Sequence, residues 1–177
     1  LDSTLTLLNQ SEKALNFVLN RISPEPNIEI SSRKLDSILL QTINNPYWKR
    51  SEYTLRNLEN SGKLSGLSSE ALKTKLYEWS LVSTDIKDKD ADATFAFNYL
   101  LNYYKEHGSL RSLDAFGSQK IVGQSSLNYN HYKFFSDIVF ENAIDDNLVY
   151  IRQRIERHEK ASTIINEILR ITQSKDD

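Results

Sequence analysis

The chain has 177 residues, enough to bury a core, and its 22 basic against 24 acidic side chains leave a net charge of −2. That near balance excludes a global attraction to nucleic acid or anionic lipid. The absence of cysteine excludes disulfides, thiolate metal sites, iron–sulfur clusters and a cysteine nucleophile, and five glycines with three prolines leave little punctuation for a β-rich fold.

Hydrophobic spacing predicts helices throughout. Leu5, Leu8, Glu12, Leu15, Leu19 and Ile22 step by three and four, which predicts a first helix over 2–22 with Glu12 in its seam. Ser23-Pro24-Glu25-Pro26-Asn27 ends it, because prolines remove backbone donors and push their predecessors out of helical geometry. Ser31 caps a short helix running through Leu35, Ile38, Leu39 and Ile43, stopped at Asn44-Asn45-Pro46. A third short helix is predicted over 51–61, with Gly62 as its left-handed terminator and Leu64 folding back on the last turn.

The strongest periodicity comes next. From a cap at Ser68 or Ser69, the residues Leu72, Leu76, Trp79, Ser83, Ile86, Asp90, Ala93, Phe97, Leu100, Tyr104 and His107 hold one seven-residue register. This predicts a helix over 69–107, roughly 58 Å long at 1.5 Å per residue, closed by Gly108. Its polar seam positions Ser83 and Asp90 predict a bend or an exposed section around 84–92. Residues 109–136 read as an irregular connection with a short helix near Leu113–Ile121. Ile144, Leu148, Ile151, Ile155, His158, Ser162, Ile165 and Leu169 then predict a last long helix over 137–172 and a frayed end at Ser174-Lys175-Asp176-Asp177. The expected fold is all-α: a single domain over 1–177, an elongated antiparallel bundle of three long helices and two or three short ones.

Chemical motifs fail one after another. His158-Glu159-Lys160-Ala161-Ser162 begins like a helical zinc-protease motif, but the second histidine is replaced by Ser162. Asp88, Asp90 and Asp92 imitate the first ligands of a calcium loop, yet Ala93 and Tyr99 stand where glycine and a bidentate glutamate belong. No Gly-x-Ser-x-Gly and no phosphate-cradling loop occurs, and Gly62-x-x-x-Gly66 lacks the residues that complete a P-loop. Arg152, Arg154, Arg157 and Lys160 lie along one helix, but Glu156 and Glu159 offset them, so no nucleic-acid partner is expected. No catalytic residue, metal site or cofactor is expected either. If the first and last helices run antiparallel, Glu12 and His158 face each other as a register-fixing pair. Aromatic residues stand out. Tyr99, Tyr103 and Tyr104 near the end of the long helix, with Tyr129 and Tyr132 before the last one, are the candidate ligand or interface residues, because polar-tipped rings suit a partly wet cavity.

The run Leu58-Glu59-Asn60-Ser61-Gly62-Lys63-Leu64, followed by Leu67 and by Leu72-Lys73-Thr74-Lys75-Leu76-Tyr77-Glu78-Trp79, resembles an uncharacterised family of membrane-anchored proteins widespread in Bacteroidota. Phe140-Glu141-Asn142 is similar to a further signature of that family, and the resemblance spans Leu35 to Leu169. It implies one N-terminal transmembrane helix behind basic residues and a periplasmic helical domain after it. No run of this sequence approaches the roughly 18 apolar residues of a span, and the chain begins at Leu1 with no methionine anywhere. We therefore read it as a piece lacking its N-terminal anchor. The expected function is non-enzymatic: a sensor- or adaptor-like extracytoplasmic domain that binds a ligand or protein partner. The alternative is a structural or assembly module that forms a homodimer through its helix seams.

Overall fold

The computed structural model describes residues 1–49, 53–117 and 123–173. Among them the chain is helical and contains no strand. The α-helices are α1 (Asp2–Leu19), α2 (Ser32–Thr42), α3 (Tyr53–Asn60), α4 (Glu70–His107), α5 (Leu110–Asp114) and α6 (Ile138–Gln173), with a 3-10 helix over His131–Ser136. The caps are local chemistry. Ser31 Oγ accepts from the Lys34 amide, Ser69 Oγ from the Leu72 amide, and Asn130 Oδ1 from the Tyr132 amide. Gly62 has φ of +68°, the left-handed conformation a helix end favours, and the Leu64 amide returns to the Leu58 carbonyl. Residues 51 and 52 of the predicted third helix, 118–121 of the predicted short one and the tail Ser174–Asp177 lie outside the described residues.

Helix α6 is the spine, with α1 and α4 packed along it and α2 against α1. Side-chain pairs fix the directions. Lys75 meets Glu167, Asp85 meets Arg157, Asp90 meets Arg154 and Tyr103 meets Asp137, so α4 and α6 run antiparallel without a slip over their whole common length. Glu12 meets Arg152, and the Ser23 amide meets the Phe135 carbonyl, so α1 is also antiparallel to α6.

Because α6 has a neighbour on each side, it buries two lines rather than one. Ile144, Leu148, Ile151 and Ile155 follow the predicted seam, and Ala143, Asn147, Arg154, Ala161 and Ile164 form a second line beside it. At the far end Leu169 leaves the predicted seam and is exposed. The long helix α4 differs from expectation at its middle. Val82, Ser83, Ile86 and Ala93 stay buried, and Asp90 faces inward, so no exposed section opens around 84–92. The polar seam is covered because α6 supplies a cation to it.

That cation is Arg154, buried against Asp90. Its Nε donates to Asp90 Oδ1 at 2.8 Å, one terminal nitrogen donates to Asn45 Oδ1 at 2.8 Å, and the other donates to the Pro46 carbonyl. It separates two cores. The larger gathers Leu8, Leu15, Val18, Leu35, Leu39, Leu100, Tyr104, Phe134, Phe135 and Phe140 with the first half of α6. The smaller holds Val82, Ile86, Ala161 and Ile164, flanked by Leu1, Trp48, Trp79 and Ile168.

The expected Glu12–His158 pair does not form. Helix α1 buries Thr4, Leu8, Ser11, Leu15 and Val18, which turns Ser11 inward and leaves Glu12 at the edge beside Arg152. His158 instead lies in the smaller core, its ring centroid 6.0 Å from that of Trp48. His158 Nδ1 donates to the Arg154 carbonyl at 2.8 Å, which leaves Nε2 as a buried acceptor without a partner among the described residues.

Two stability measurements test this cluster. Asp90 keeps one oxygen, Oδ2, buried and unpartnered among the described residues, so the ion pair is already costly to bury. Arg154→Leu is expected to lose about 3–5 kcal/mol in urea unfolding, because it strands the Asp90 carboxylate, whereas Asp90→Leu/Arg154→Leu regains most of that loss. A double variant as unstable as the single one would contradict this. Burial also holds the His158 imidazole below its ordinary pKa. The unfolded chain then takes up this proton first, so the contribution is fully present above about pH 6.5 and declines as pH falls below it. Urea midpoints measured from about pH 8 down to about pH 5 are expected to fall less steeply for His158→Gln than for the parent protein.

Candidate functional site

At the end of the bundle where α4 stops and α6 starts, the five predicted tyrosines separate into different roles. Tyr104 is wholly buried, and its hydroxyl meets Thr42 Oγ1 at 2.7 Å. Thr42 Oγ1 donates to the Leu39 carbonyl, so the Tyr104 hydroxyl is the donor in that contact. Asn147 Nδ2 donates to the Thr42 carbonyl at 3.0 Å, so α2, α4 and α6 share one polar knot. Burial pushes the Tyr104 phenol well above its ordinary pKa, which keeps it a neutral donor. Tyr132 donates to the Ile30 carbonyl at 2.7 Å and ties the 3-10 helix to the segment before α2. Both residues are structural.

Tyr103 and Tyr129 reach a common recess. It is open to solvent, about 640 Å³ in volume, and lined by Tyr103, His107, Asn128, Tyr129, Asn130, Lys133, Phe134 and Asp137. Tyr99 is not among them. It is 50% exposed on the outer face of α4, one turn from Phe95, which is 78% exposed.

Aromatic rings form a continuous arc beneath the recess. His107 lies 4.5 Å from Tyr103, Tyr103 5.2 Å from Phe134, Phe134 5.1 Å from His131 and His131 4.7 Å from Tyr129, measured between centroids. Such spacings are ordinary for tilted and edge-to-face aromatic pairs. Phe140 backs the arc from the core, 5.1 Å from Tyr103. The arc is therefore held from behind, with Tyr103, Phe134 and His131 buried and its two ends at the surface.

Two polar contacts hold the walls. Tyr103 donates its hydroxyl to Asp137 Oδ2 at 2.7 Å, and Asp137 Oδ1 accepts from the Val139 amide at 2.8 Å, capping α6. The Tyr103 hydrogen bond is the main reason that the Asp137 carboxyl is held below its ordinary pKa, while burial and the same contact push the Tyr103 phenol up. The second contact is a buried dyad that sequence spacing missed. His131 Nδ1 lies 2.7 Å from Asp36 Oδ1, and His131 Nε2 accepts from the Ser109 amide at 2.9 Å.

A backbone amide only donates, so Nε2 is unprotonated and the proton sits on Nδ1 toward Asp36. A histidine–aspartate pair of this kind resembles half of a hydrolytic triad, but a triad needs a hydroxyl at Nε2. Here that position holds a main-chain amide, and Ser109 Oγ is turned to Ser112. The dyad is a clamp between α2, the start of α5 and the 3-10 helix. Gly108 makes room for it. A Cβ on Gly108 would lie 2.7 Å from Phe134 and 2.8 Å from His131 Nε2.

Sequence reasoning singled out Tyr103 and Tyr129 by their aromatic clustering. It placed His107 in the bundle seam, whereas the side chain is exposed at the recess edge, and it missed Asp36, Asn128, Asn130, Lys133 and Asp137. The Asn128-Tyr129-Asn130-His131-Tyr132 run was the available signal, since such a run is a poor helix former beside two good ones. Among the described residues no group of three or more metal-binding side chains converges. No helix among them is long and apolar enough to cross a membrane. Comparison with known protein families, with curated proteins and with solved structures finds no match for this chain.

Gly108→Ala tests the clamp. The added methyl meets two ring side chains that have nowhere to move, so a loss of about 1–3 kcal/mol is expected in chemical denaturation. A parent-like midpoint would mean that His131 and Phe134 shift freely and that the arc is not rigid.

Proposed function

We propose that this chain is a non-enzymatic helical domain that binds a ligand or protein partner at the recess between the end of α4 and the start of α6. The observation that carries the reading is the arc of rings under unengaged polar groups. The floor side chains are satisfied internally, whereas Asn128, Tyr129 and Lys133 at the rim have side-chain donors without a partner among the described residues. Buried polar groups normally find partners within the fold, and an open recess over packed rings, edged by unpartnered donors, suits an outside one.

The wider setting, a periplasmic sensor- or adaptor-like domain carried on a membrane anchor, rests on the resemblance of residues 58–79 and of Phe140-Glu141-Asn142 to the membrane-anchored family. The long α4–α6 pair is compatible with such a role by shape alone. A second reading has its own observation. Tyr77 and Leu81, then Phe95 and Tyr99, project from the outer face of α4, which favours a homodimer through that helix. Thr84 and Asp88 interrupt the stripe, and this ranks the dimer second.

One titration separates the two readings. A library of small polar compounds added to the isotope-labelled protein is expected to shift the amide signals of 128–130 and 133. Broadening of the 95–99 signals with protein concentration alone, and dimeric mass by light scattering, would establish the assembly reading instead. A monomer whose recess signals respond to no compound would overturn the binding proposal.

A further inference from the structure

The recess also constrains the chemistry of its occupant, on the premise that it is a binding site at all. Its aromatic floor is nearly closed, with Tyr103 5% and Phe134 2% exposed, so the rings it offers are Tyr129 and His107 at its ends, and the Tyr103 oxygen is engaged by Asp137. Its rim is predominantly polar and offers more free donors than free acceptors. Asn130 uses Oδ1 to cap the 3-10 helix, which leaves its amide Nδ2 as a donor. Asn128 and the Tyr129 hydroxyl make no hydrogen bond within the described residues, and the Lys133 ammonium, exposed at the rim, has no carboxylate within ion-pair distance among them.

Asp137 is the lining carboxylate, and both of its oxygens are already hydrogen-bonded, one by Tyr103 and one by the Val139 amide at the start of α6. Those donors and the positive end of the 36-residue α6 offset its charge. His107 adds a second potential donor at the opposite rim, its Nε2 no nearer than 3.9 Å to the Glu106 carboxylate. A ligand that satisfies this rim must therefore bring acceptors and a negative charge. One that also covers the half-buried Tyr129 ring must bring a non-polar face of its own.

We propose that the recess binds an acidic sugar, a six-membered ring bearing a carboxylate. The C–H face of the ring stacks on the half-buried Tyr129 ring, the carboxylate meets Lys133, and the ring hydroxyls take the amide donors of Asn128 and Asn130. A volume of about 640 Å³ holds one or two such rings, within the size range of small-molecule sites. An open site of this polarity binds weakly and selects by charge.

The test is an amide-shift titration of the whole chain with four probes: glucuronate, glucose, benzoate and acetate. Glucuronate is expected to shift the signals of 128–130 and 133 with an affinity at least about tenfold above that of glucose, the worth of one charge-assisted hydrogen bond. Benzoate and acetate, which have the carboxylate without the hydroxyl-bearing ring, are expected to be weaker than glucuronate. Lys133→Gln is expected to abolish the preference for glucuronate over glucose, and Tyr129→Ala to remove both. Lys133 is exposed, so its variant folds as the parent does and keeps the result readable. Glucose binding as tightly as glucuronate, an unchanged preference in Lys133→Gln, or no glucuronate response at the recess overturns the proposal. If glucuronate fails while other compounds of the library still shift 128–133, the recess stays a binding site and only the ligand class falls.

Discussion

Two helices with seven-residue apolar seams do not by themselves choose one register, because sliding either by a heptad returns apolar residues to apolar partners. In this protein the choice is made by the Arg154 guanidinium. It donates to Asp90 on α4 and to Asn45 and Pro46 beyond α2, so three parts of the chain have to arrive together. A slip of seven residues would set the guanidinium against Ser83 or Phe97 and leave Asp90 without a cation, a cost of several kcal/mol. The pair contributes little net stability, since Asp90 Oδ2 has no partner of its own. What it contributes is uniqueness. The exposed pairs Lys75–Glu167 and Arg152–Glu12 agree with the register, and their solvation leaves them too weak to impose it.

The recess inherits this register. Tyr103 reaches Asp137 only because α4 and α6 stay aligned from Asp90 on to Tyr103. The loop that closes the recess has a second anchor in Asp36 and His131, which lie 95 residues apart in sequence. Together with the Ser109 amide and the Tyr132–Ile30 contact, they hold the 3-10 helix against α2. The histidine has the orientation that a catalytic histidine would have, but the atom that would accept a proton from a nucleophile already accepts a hydrogen bond from the backbone. Its geometry is that of a joint.

Periodicity made the long helices readable because each turn repeats the same constraint. Leu100, Tyr104, Ile144, Leu148 and Ile151 are buried as their spacing predicts. The rotation of α1 was not readable. Its predicted seam, through Leu5, Leu8, Glu12 and Leu15, and its observed one, through Thr4, Leu8, Ser11 and Leu15, share both leucines and differ by a fraction of a turn, and Ser11 can lie inside because its hydroxyl bonds to its own helix at Leu7. Asp36 was hidden for a related reason. A carboxylate early in a short helix beside Ser32, Arg33 and Lys34 reads as solvated, and nothing local shows that its partner is a histidine near residue 130. Aromatic clustering found two residues of the recess, but the rim of Asn128, Asn130 and Lys133 looks in sequence like any polar loop.

The distribution of satisfied and unsatisfied polar groups then divides the molecule. In the larger core Thr42, Tyr104, Asn147, Asp36 and His131 all find partners inside the fold, at junctions between elements. Two buried acceptors at the smaller core, Asp90 Oδ2 and His158 Nε2, do not, but both atoms are closed off from solvent and offer nothing to a ligand. Among the described residues, the recess is where unengaged donors, a cation without a carboxylate and the half-buried Tyr129 ring meet in one open place. Tolerance of unpartnered donors costs nothing in water, so their mere presence argues little. Their position around one recess argues more, because the rings beneath it are held by the core, and the Tyr129 ring, half-buried at the rim, gains free energy when another molecule covers it.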